Sequence, residues 1–480
     1  MSVITTMQVL SENERTQVHE RSLELLKKTG MRVDTAWGRR ILKGGGAHVD
    51  EDSRIVRFPP EMVEEALRLT PRKFSLGTRR PGMKFPMNTG ECTLCADGGA
   101  VYIYDAQAAI RRNGTREDWL QATRLIDALD EVGVYWAMVQ GWYSDDIPGD
   151  FVAYWRDLFR NFSKHIQDTI SQPQQTHWLL EVLQVVCGDK ETVRQEKPLS
   201  LILCPRSPLV LDGSFTDAYL ETIGWDIPAA LMPMPLMGAT APASLISTLL
   251  LANAEVLGLL CLVQVASPGT ACIYAPVPSV IDPRSGRYGS GAVEHALLGA
   301  AVTAMGRYYG LPVEAPTGGS DPYLPGIQAT YERVIDWILP NLSWPDILVG
   351  PGLLGSTSVL SLEQIVLDIE VYRRCKRIYQ GMGSVEDDWL QEVIAAIGPG
   401  GNFLADHSTR QALRTGEWYL DKLGVHDTYE AWESAGKPDI LERARKSIDQ
   451  TLRQHTPLPL SNEVERELER IEHRARSTMG

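Results

Sequence analysis

Glu314 stands alone among groups that favour burial, in the run Pro312-Val313-Glu314-Ala315-Pro316, and the run breaks at Gly318-Gly319. A carboxylate in that setting loses hydration, so its charge is costly and it becomes a candidate acid, base or cation anchor. Ser320, Asp321 and Tyr323 follow, stiffened by Pro322 and Pro325, before helical periodicity resumes at Ile327, Tyr331, Val334, Ile335 and Ile338. The pattern predicts a buried strand ending in a polar loop, where strands deliver side chains to ligands. A second concentration is aromatic: Val134 to Tyr143 holds Tyr135, Trp136, Trp142 and Tyr143, and Tyr274 lies in the strand-like run 271–275. Asp97 opens the turn Asp97-Gly98-Gly99, with Tyr102 and Tyr104 just beyond. His165 sits in Lys164-His165-Ile166-Gln167-Asp168 and Arg206 in Pro205-Arg206-Ser207-Pro208. The nine histidines show no HxxxH or HxH spacing, so no metal site is expected.

These residues need elements to hold them, and one phrase recurs: apolar strand, Gly/Pro loop, helix. It appears at 230–235, 271–275, 312–316 and 347–350, and strands at 134–143, 164–170 and 199–204 complete seven units, with an eighth strand not placed. This is the grammar of an α/β fold, a (β/α)8 TIM barrel whose strand-end loops gather at one face. Before it, Ser11-Glu12-Asn13-Glu14 is a capping box, strands at 47–49 and 54–58 flank an acidic turn, and 92–96 with 100–105 reads as a hairpin. Thr115-Arg116-Glu117-Asp118 starts another helix in the same way. The expected organisation is an N-terminal α+β extension over 1–113, the barrel over 114–382, and a helical, charged C-terminal extension over 383–480. Within the last, Glu463 to Arg476 alternates acids and bases as a solvated helix face does.

Size and charge agree with this plan. The chain has 480 residues, beyond the roughly 250–300 at which a single core stops growing. Its net charge of −14 argues against a nucleic-acid or anionic-membrane surface and is mainly that of a solvated exterior. The opening residues have no basic start or apolar core, so a cytoplasmic protein without a secretory signal is expected. Ala241 to Ala266 is mostly apolar but holds Asn253, Glu255 and Gln264, and predicts a buried barrel helix rather than a membrane span. Seven cysteines with one isolated Cys92-x-x-Cys95 pair make no disulfide framework, and no second ligand pair for zinc is near.

Several phrases, in order, are shared with a known family: Val18-His19-Glu20, Gly45-Gly46-Ala47-His48-Val49-Asp50, Met237-Gly238-Ala239-Thr240-Ala241-Pro242 and Gly318-Gly319-Ser320-Asp321 with Gln328-Ala329-Thr330-Tyr331-Glu332. Leu360-Ser361-Leu362-Glu363-Gln364, Asp368-Ile369-Glu370 and Ile397-Gly398-Pro399-Gly400-Gly401 continue the series. With these the chain resembles the trimethylamine methyltransferase superfamily, whose members move a methyl group from a methylated amine to a corrinoid on a separate protein. Founding members carry pyrrolysine near the strand corresponding to Glu314, and no such residue occurs here. The chain is therefore similar to the pyrrolysine-lacking branch, whose relatives demethylate quaternary amines such as glycine betaine. Pro322-Tyr323 stands where relatives often show a polar residue and lysine.

The resemblance implies displacement at carbon by a Co(I) corrinoid, which leaves positioning and electrostatics to the protein. A quaternary amine departs as a neutral tertiary amine and needs no acid. Holding such a cation calls for aromatic faces, each giving roughly 0.5–2 kcal/mol, beside a carboxylate. On this reading Asp321 and Glu314 are the catalytic carboxylates, and Trp136, Trp142, Tyr143, Tyr274, Tyr102 and Asp97 bind substrate. His165 and Arg206 would anchor a carboxylate or oxygen of the substrate. Each has a plainer alternative: the aromatics as core, Asp321 as a loop cap, His165 as a satisfied structural histidine, Arg206 in a surface salt bridge. The implied cofactor is cobalamin carried by a cognate corrinoid protein and not bound by this chain, which lacks an Asp-x-His-x-x-Gly phrase. Two other readings stay open: a barrel methyltransferase with a different donor, and a non-catalytic paralogue that binds quaternary amines. An assembly of identical subunits is compatible with all three.

Overall fold

The computed structural model describes residues 7–139, 143, 147–382 and 389–478, so Trp142 lies outside the described residues. Its centre is a ring of eight parallel strands: β1 (Thr93–Cys95), β2 (Val132–Tyr135), β3 (His165–Asp168), β4 (Leu199–Leu203), β5 (Ala229–Leu231), β6 (Cys272–Tyr274), β7 (Glu314–Ala315) and β8 (Ile347–Val349). Strands β1 to β6 pair in sequence, β7 pairs β8, and β8 returns to β1. A parallel bridge between Tyr274 and Val313 joins β6 to β7 and completes the circle. A helix follows each strand: α1 (Arg116–Ala128), α2 (Pro148–Asn161), α3 (Pro173–Cys187), α4 (Gly213–Leu220), α5 (Leu245–Ala266), α6 (Val293–Tyr308), α7 (Ile327–Asn341) and α8 (Leu362–Tyr379). The chain is thus a (β/α)8 barrel.

The eighth barrel strand, not placed from the sequence, is Thr93–Cys95, which reads there as half of a hairpin. Leu94 and Cys95 are both fully buried, one on each side of the barrel wall. Burial on both faces suits a parallel barrel strand and not a hairpin with one face in water. The expected hairpin therefore does not form: Tyr102–Asp105 pairs instead with Ile110–Asn113 and with Val359–Leu360 after β8. The boundary read at residue 113 falls after the barrel's first strand.

The N-terminal helix Glu12–Lys28 carries the capping box expected at Ser11 and Glu14 and packs on α5. Strands Met31–Val33, His48–Asp50 and Ile55–Arg57 form a small sheet that takes Val210–Leu211, from the loop after β4, as its fourth strand. Among the described residues α5 is the one helix long and apolar enough to cross a membrane, and 83% of its most apolar window is buried in the fold. The hairpin of Ser75–Gly77 and Lys84–Pro86 plugs the N-terminal end of the barrel, where Leu76 and Phe85 join the inner cluster. At the other terminus Asn462–Ser477 packs on α2 and α3. Its charges alternate as expected, yet Leu468, Ile471 and Ala475 form a buried stripe. Arg160 meets Glu465 from α2, so the outer charges also dock the helix.

Candidate functional site

Alternation along the strands decides which side chains enter the barrel. Cys95, Val134, Ile202, Ala230, Ile273 and Ile347 pack together on the axis, while Leu94, Tyr135, Leu203, Leu231, Tyr274 and Leu348 join the outer layer under the helices. By the same period of two, Gln167 and Glu314 face inward, and Asp97 and Trp136 follow two residues after Cys95 and Val134. Trp136 also packs against the inner cluster, and a side chain at Gly98 would collide with its indole at 2.9 Å. Gly98 therefore lets the loop after β1 lie flat on the Trp136 ring.

Glu314 is 1% exposed and its Oε1 has no hydrogen-bond partner among the described residues. Burial, and secondarily the Asp97 charge against the help of Gln167, raises its carboxyl to about 7. Asp97, also buried, is raised to about 7 by burial, offset by the Gly98 amide and by Arg333 and His295 at longer range. Two carboxyls thus share the axis near the strand ends without an ion-pair partner among the described residues. Buried carboxyls that make no direct ion pair favour either protons or an external cation.

A polar chain leads from Glu314 to the barrel floor. Gln167 Nε2 donates to Glu314 Oε2 at 2.7 Å, and Ser200 Oγ donates to Gln167 Oε1 at 3.1 Å. Ser200 Oγ is 2.9 Å from His165 Nε2, and His165 Nδ1 is 3.0 Å from the Gly77 carbonyl oxygen. In this orientation every group is satisfied only if His165 bears both ring protons. Burial, however, lowers His165 to about 4. A neutral ring gives its one proton to Gly77 and must accept at Nε2 from Ser200. The Gln167 amide, turned end for end, then donates to Ser200 Oγ and accepts from Glu314. Donor–acceptor parity therefore assigns a proton to Glu314, the same direction in which burial drives its carboxyl.

Beyond the axis a second network underpins the loops. Arg333, fully buried, donates to the carbonyls of Thr317, Gly318 and Gly350 and pairs with Asp368 at 3.4 Å. His295 Nδ1 lies 3.0 Å from Asp336 Oδ1, and its Nε2 lies 3.3 Å from the Tyr288 hydroxyl. Asp321 Oδ1 accepts from the Ser290 amide at 3.1 Å, the Ser290 hydroxyl at 3.3 Å and the Ser356 hydroxyl at 3.0 Å. Asp321 thus ties together the loops that follow β6, β7 and β8, which is the loop-capping alternative to the expected catalytic role.

The other expected residues separate. Tyr274 points outward: its hydroxyl donates to Asn253 at 2.8 Å under α5, because Ile273 and Ala275 take the inner positions of β6. His165 opens β3, at the end opposite the mouth, and is satisfied by Gly77 and Ser200. Arg206 is exposed and lies 3.7 Å from Asp34 of the N-terminal sheet, a surface ion pair. Tyr102 and Tyr143 line a cavity of about 530 Å³ outside the strand ring, together with Phe151, Tyr154, Trp155, Asp168 and Phe215. One face of Tyr102 already holds the Arg111 guanidinium at 4.1 Å, and the Tyr143 hydroxyl bonds Arg116 at 3.0 Å and Asp157. Asp97, Trp136 and Glu314 are the expected residues that the fold gathers at the axis. Gln167 and Ser200, not named from the sequence, share that face; the signal for Gln167 was its spacing of two from His165, and for Ser200 its being the one polar residue of the buried strand Leu199–Leu203.

A closed parallel barrel with ionisable groups inside its strand ends has the build of an enzyme of the β/α-barrel class. A family model described as trimethylamine methyltransferase (MTTB) matches residues 1–480, and the chain belongs to this family of methyltransferases that act on methylated amines. The trimethylamine methyltransferase MttB of Desulfitobacterium hafniense (strain DSM 10664 / DCB-2) is 27% identical over 456 residues, spanning 95% of this chain and 91% of that one. The glycine betaine methyltransferase of Desulfitobacterium hafniense (strain Y51) is 26% identical over 465 residues, spanning 96% and 95%. Among solved structures, the monomethylamine methyltransferase MtmB of Methanosarcina barkeri matches with a TM-score of 0.47 at 14% identity, over 91% of this chain and 92% of that one.

Proposed function

We propose that the chain transfers a methyl group from a quaternary amine of the glycine betaine type to the Co(I) corrinoid of a partner protein. The observation that carries this reading is the pair of buried carboxyls, Asp97 and Glu314, beside the Trp136 indole and without a direct ion-pair partner among the described residues. A permanent cation placed there would supply the missing charge and restore both carboxyls toward their ionised forms. Trp136 offers a π face that attracts such a cation without enclosing the methyl group, worth roughly 0.5–2 kcal/mol. The apolar wall of Val134, Ile202 and Ile273 excludes water from the axis below. Because a quaternary nitrogen leaves neutral, none of these residues has to deliver a proton to it.

The corrinoid, when its carrier docks, supplies the nucleophile that accepts the methyl group. Nothing in the axial donor set suits a tightly held cobalt: the carboxyls lie inside the barrel and His165 is spent on Gly77 and Ser200. An approach from outside is instead supported by exposed apolar side chains on the segment after β7, with Leu324 56% and Ile327 88% exposed.

The test is methylation of the Co(I) carrier protein by the purified chain with glycine betaine, choline, tetramethylammonium and trimethylamine as donors. Turnover of a quaternary amine with little or none of trimethylamine is expected. Robust turnover of trimethylamine with every quaternary amine refused would overturn the substrate assignment.

A further inference from the structure

The loops that follow the eight strands gather at the barrel mouth, and their cations are Arg111, Arg112, Arg206, Arg284 and Arg287. Arg112 is neutralised by Asp105 and Asp118, Arg206 by Asp34 and Arg284 by Asp282. Arg111 and Arg287 make no ion pair among the described residues, both are exposed, and they converge on one side chain. The Arg287 guanidinium lies 5.0 Å from the Tyr323 ring centroid and that of Arg111 lies 6.0 Å from it, while Arg111 also covers Tyr102 at 4.1 Å. Tyr102, Arg111, Tyr323 and Arg287 thus form a continuous row across the loops after β1, β7 and β6.

The row is held from beneath by the loop after β8. Gly355 has a φ of +58°, and a Cβ there would meet the Tyr323 ring at 2.9 Å. Its amide donates to the Pro322 carbonyl at 2.7 Å, so this loop lies flat against the tyrosine. Arg287 spends one nitrogen, Nη2, on the Gly355 carbonyl and the Ser356 hydroxyl, both at 3.2 Å. A guanidinium carries five N–H donors in a planar fork, so most of its hydrogen-bonding capacity is left for groups outside the chain. Two guanidiniums that share a ring also repel each other, and an anion bound beside both would relieve that repulsion.

The surroundings show what kind of anion suits the row. Tyr323 is 44% exposed; the exposed Leu324 and Ile327 follow it in the chain, and the exposed Ile110 precedes Arg111. A small free ion has no use for such side chains, whereas a protein surface buries them, and tyrosine and arginine beside apolar groups are what interface centres are enriched in. The chain as a whole has a net charge of −14. An acidic partner is therefore repelled by the molecule at large and attracted at this rim, which decides where it lands.

We propose that Tyr323, held between Arg111 and Arg287, is the docking point for acidic side chains on the corrinoid carrier protein. The inference rests on the reading above that the methyl acceptor is a corrinoid on a partner, and adds the charge of the surface that partner presents. Leu324 and Ile327 supply apolar contact, and the two guanidiniums set the partner's orientation over the mouth.

The test is the affinity of the full chain for the cognate carrier protein with its corrinoid bound, measured by titration calorimetry at low and high salt. Arg111→Gln and Arg287→Gln should each weaken it about fivefold at low salt, and the double variant about 20-fold, with the differences shrinking at high salt. Both side chains are exposed, and thermal unfolding of the variants checks that they fold. A carrier affinity unaltered in the double variant would overturn the proposal while leaving the methyl-transfer reading intact. Methyl transfer to free cob(I)alamin separates the two sources of an anion: a double variant that loses this reaction as strongly as it loses the carrier would place the anion on the corrinoid itself and overturn the proposal. A wild-type chain that neither binds the carrier nor methylates its corrinoid would overturn the methyl-transfer reading and this inference together.

Discussion

Replacing Glu314 by glutamine should stabilise the protein at alkaline pH while removing its ability to compensate a bound cation. The native carboxyl is raised to about 7 from an ordinary 4.5, so the folded state binds this proton more tightly than the unfolded chain does. The contribution to stability is therefore fully present below about 4.5 and is lost as pH rises toward 7. At about 1.4 kcal/mol per pH unit, the ionised form costs about 3 kcal/mol, of which about 2 kcal/mol develops between pH 5.5 and pH 8. Glu314→Gln cannot ionise, and its amide can donate to the Gln167 carbonyl where the acid O–H does. Unfolding entropy near 2.1 cal/mol/K per residue over 480 residues amounts to roughly 1 kcal/mol/K, so the variant's Tm should gain about 2 °C on wild type between these two pH values. Scanning calorimetry at both measures this, and infrared spectra at pH 6 should show one protonated-carboxyl carbonyl stretch fewer in the variant, Asp97 still supplying its own. A Tm difference that does not change with pH, or identical infrared bands, would refute the proton assignment along the His165–Ser200–Gln167–Glu314 chain.

Trp136→Ala should weaken tetramethylammonium binding about 5–30-fold by calorimetry, whereas Tyr274→Phe, altering a hydroxyl that bonds Asn253 outside the barrel, should leave it unchanged. Arg333→Leu should cost about 3–5 kcal/mol in urea denaturation, because it strips the Asp368 partner and the donors to three loop carbonyls. Gly350→Ala should also destabilise, by about 2 kcal/mol or more: its φ is +101° and the new methyl would meet the Gly318 carbonyl oxygen at 2.1 Å.

The barrel was legible because its strands are buried on both faces and each is punctuated by Gly or Pro. Thr93–Cys95 was not placed in the barrel because Asp97-Gly98-Gly99 imitates a hairpin turn and assigns it to the wrong partner. Within the site, Glu314 and Asp97 stood out as carboxyls in apolar or turn contexts. Tyr274 and Trp136 looked equivalent as strand aromatics, and only the register separates them: a shift of one position sends a side chain from the axis to the helix layer. His165 was ambiguous for a different reason, since nothing local reveals which end of a strand faces the mouth. Tyr288, His295 and Asp336 come from separate elements and meet only through the packing of α6 on α7, which no spacing along the chain announces.

The pairing of β1 with β8 joins Thr93 to Ile347, about 250 residues apart. At the usual pace of synthesis, roughly 5–20 residues per second, β1 therefore waits some tens of seconds for one of its two neighbours. Throughout that interval the growing sheet ends in an unpaired edge, open to strands of other chains. The loss of binding residues is then only one way to inactivate this protein. Substitutions in the outer layer that slow the arrival or docking of β8, without touching Asp97 or Glu314, should lower the yield of folded protein in cells while leaving the specific activity of the surviving molecules intact.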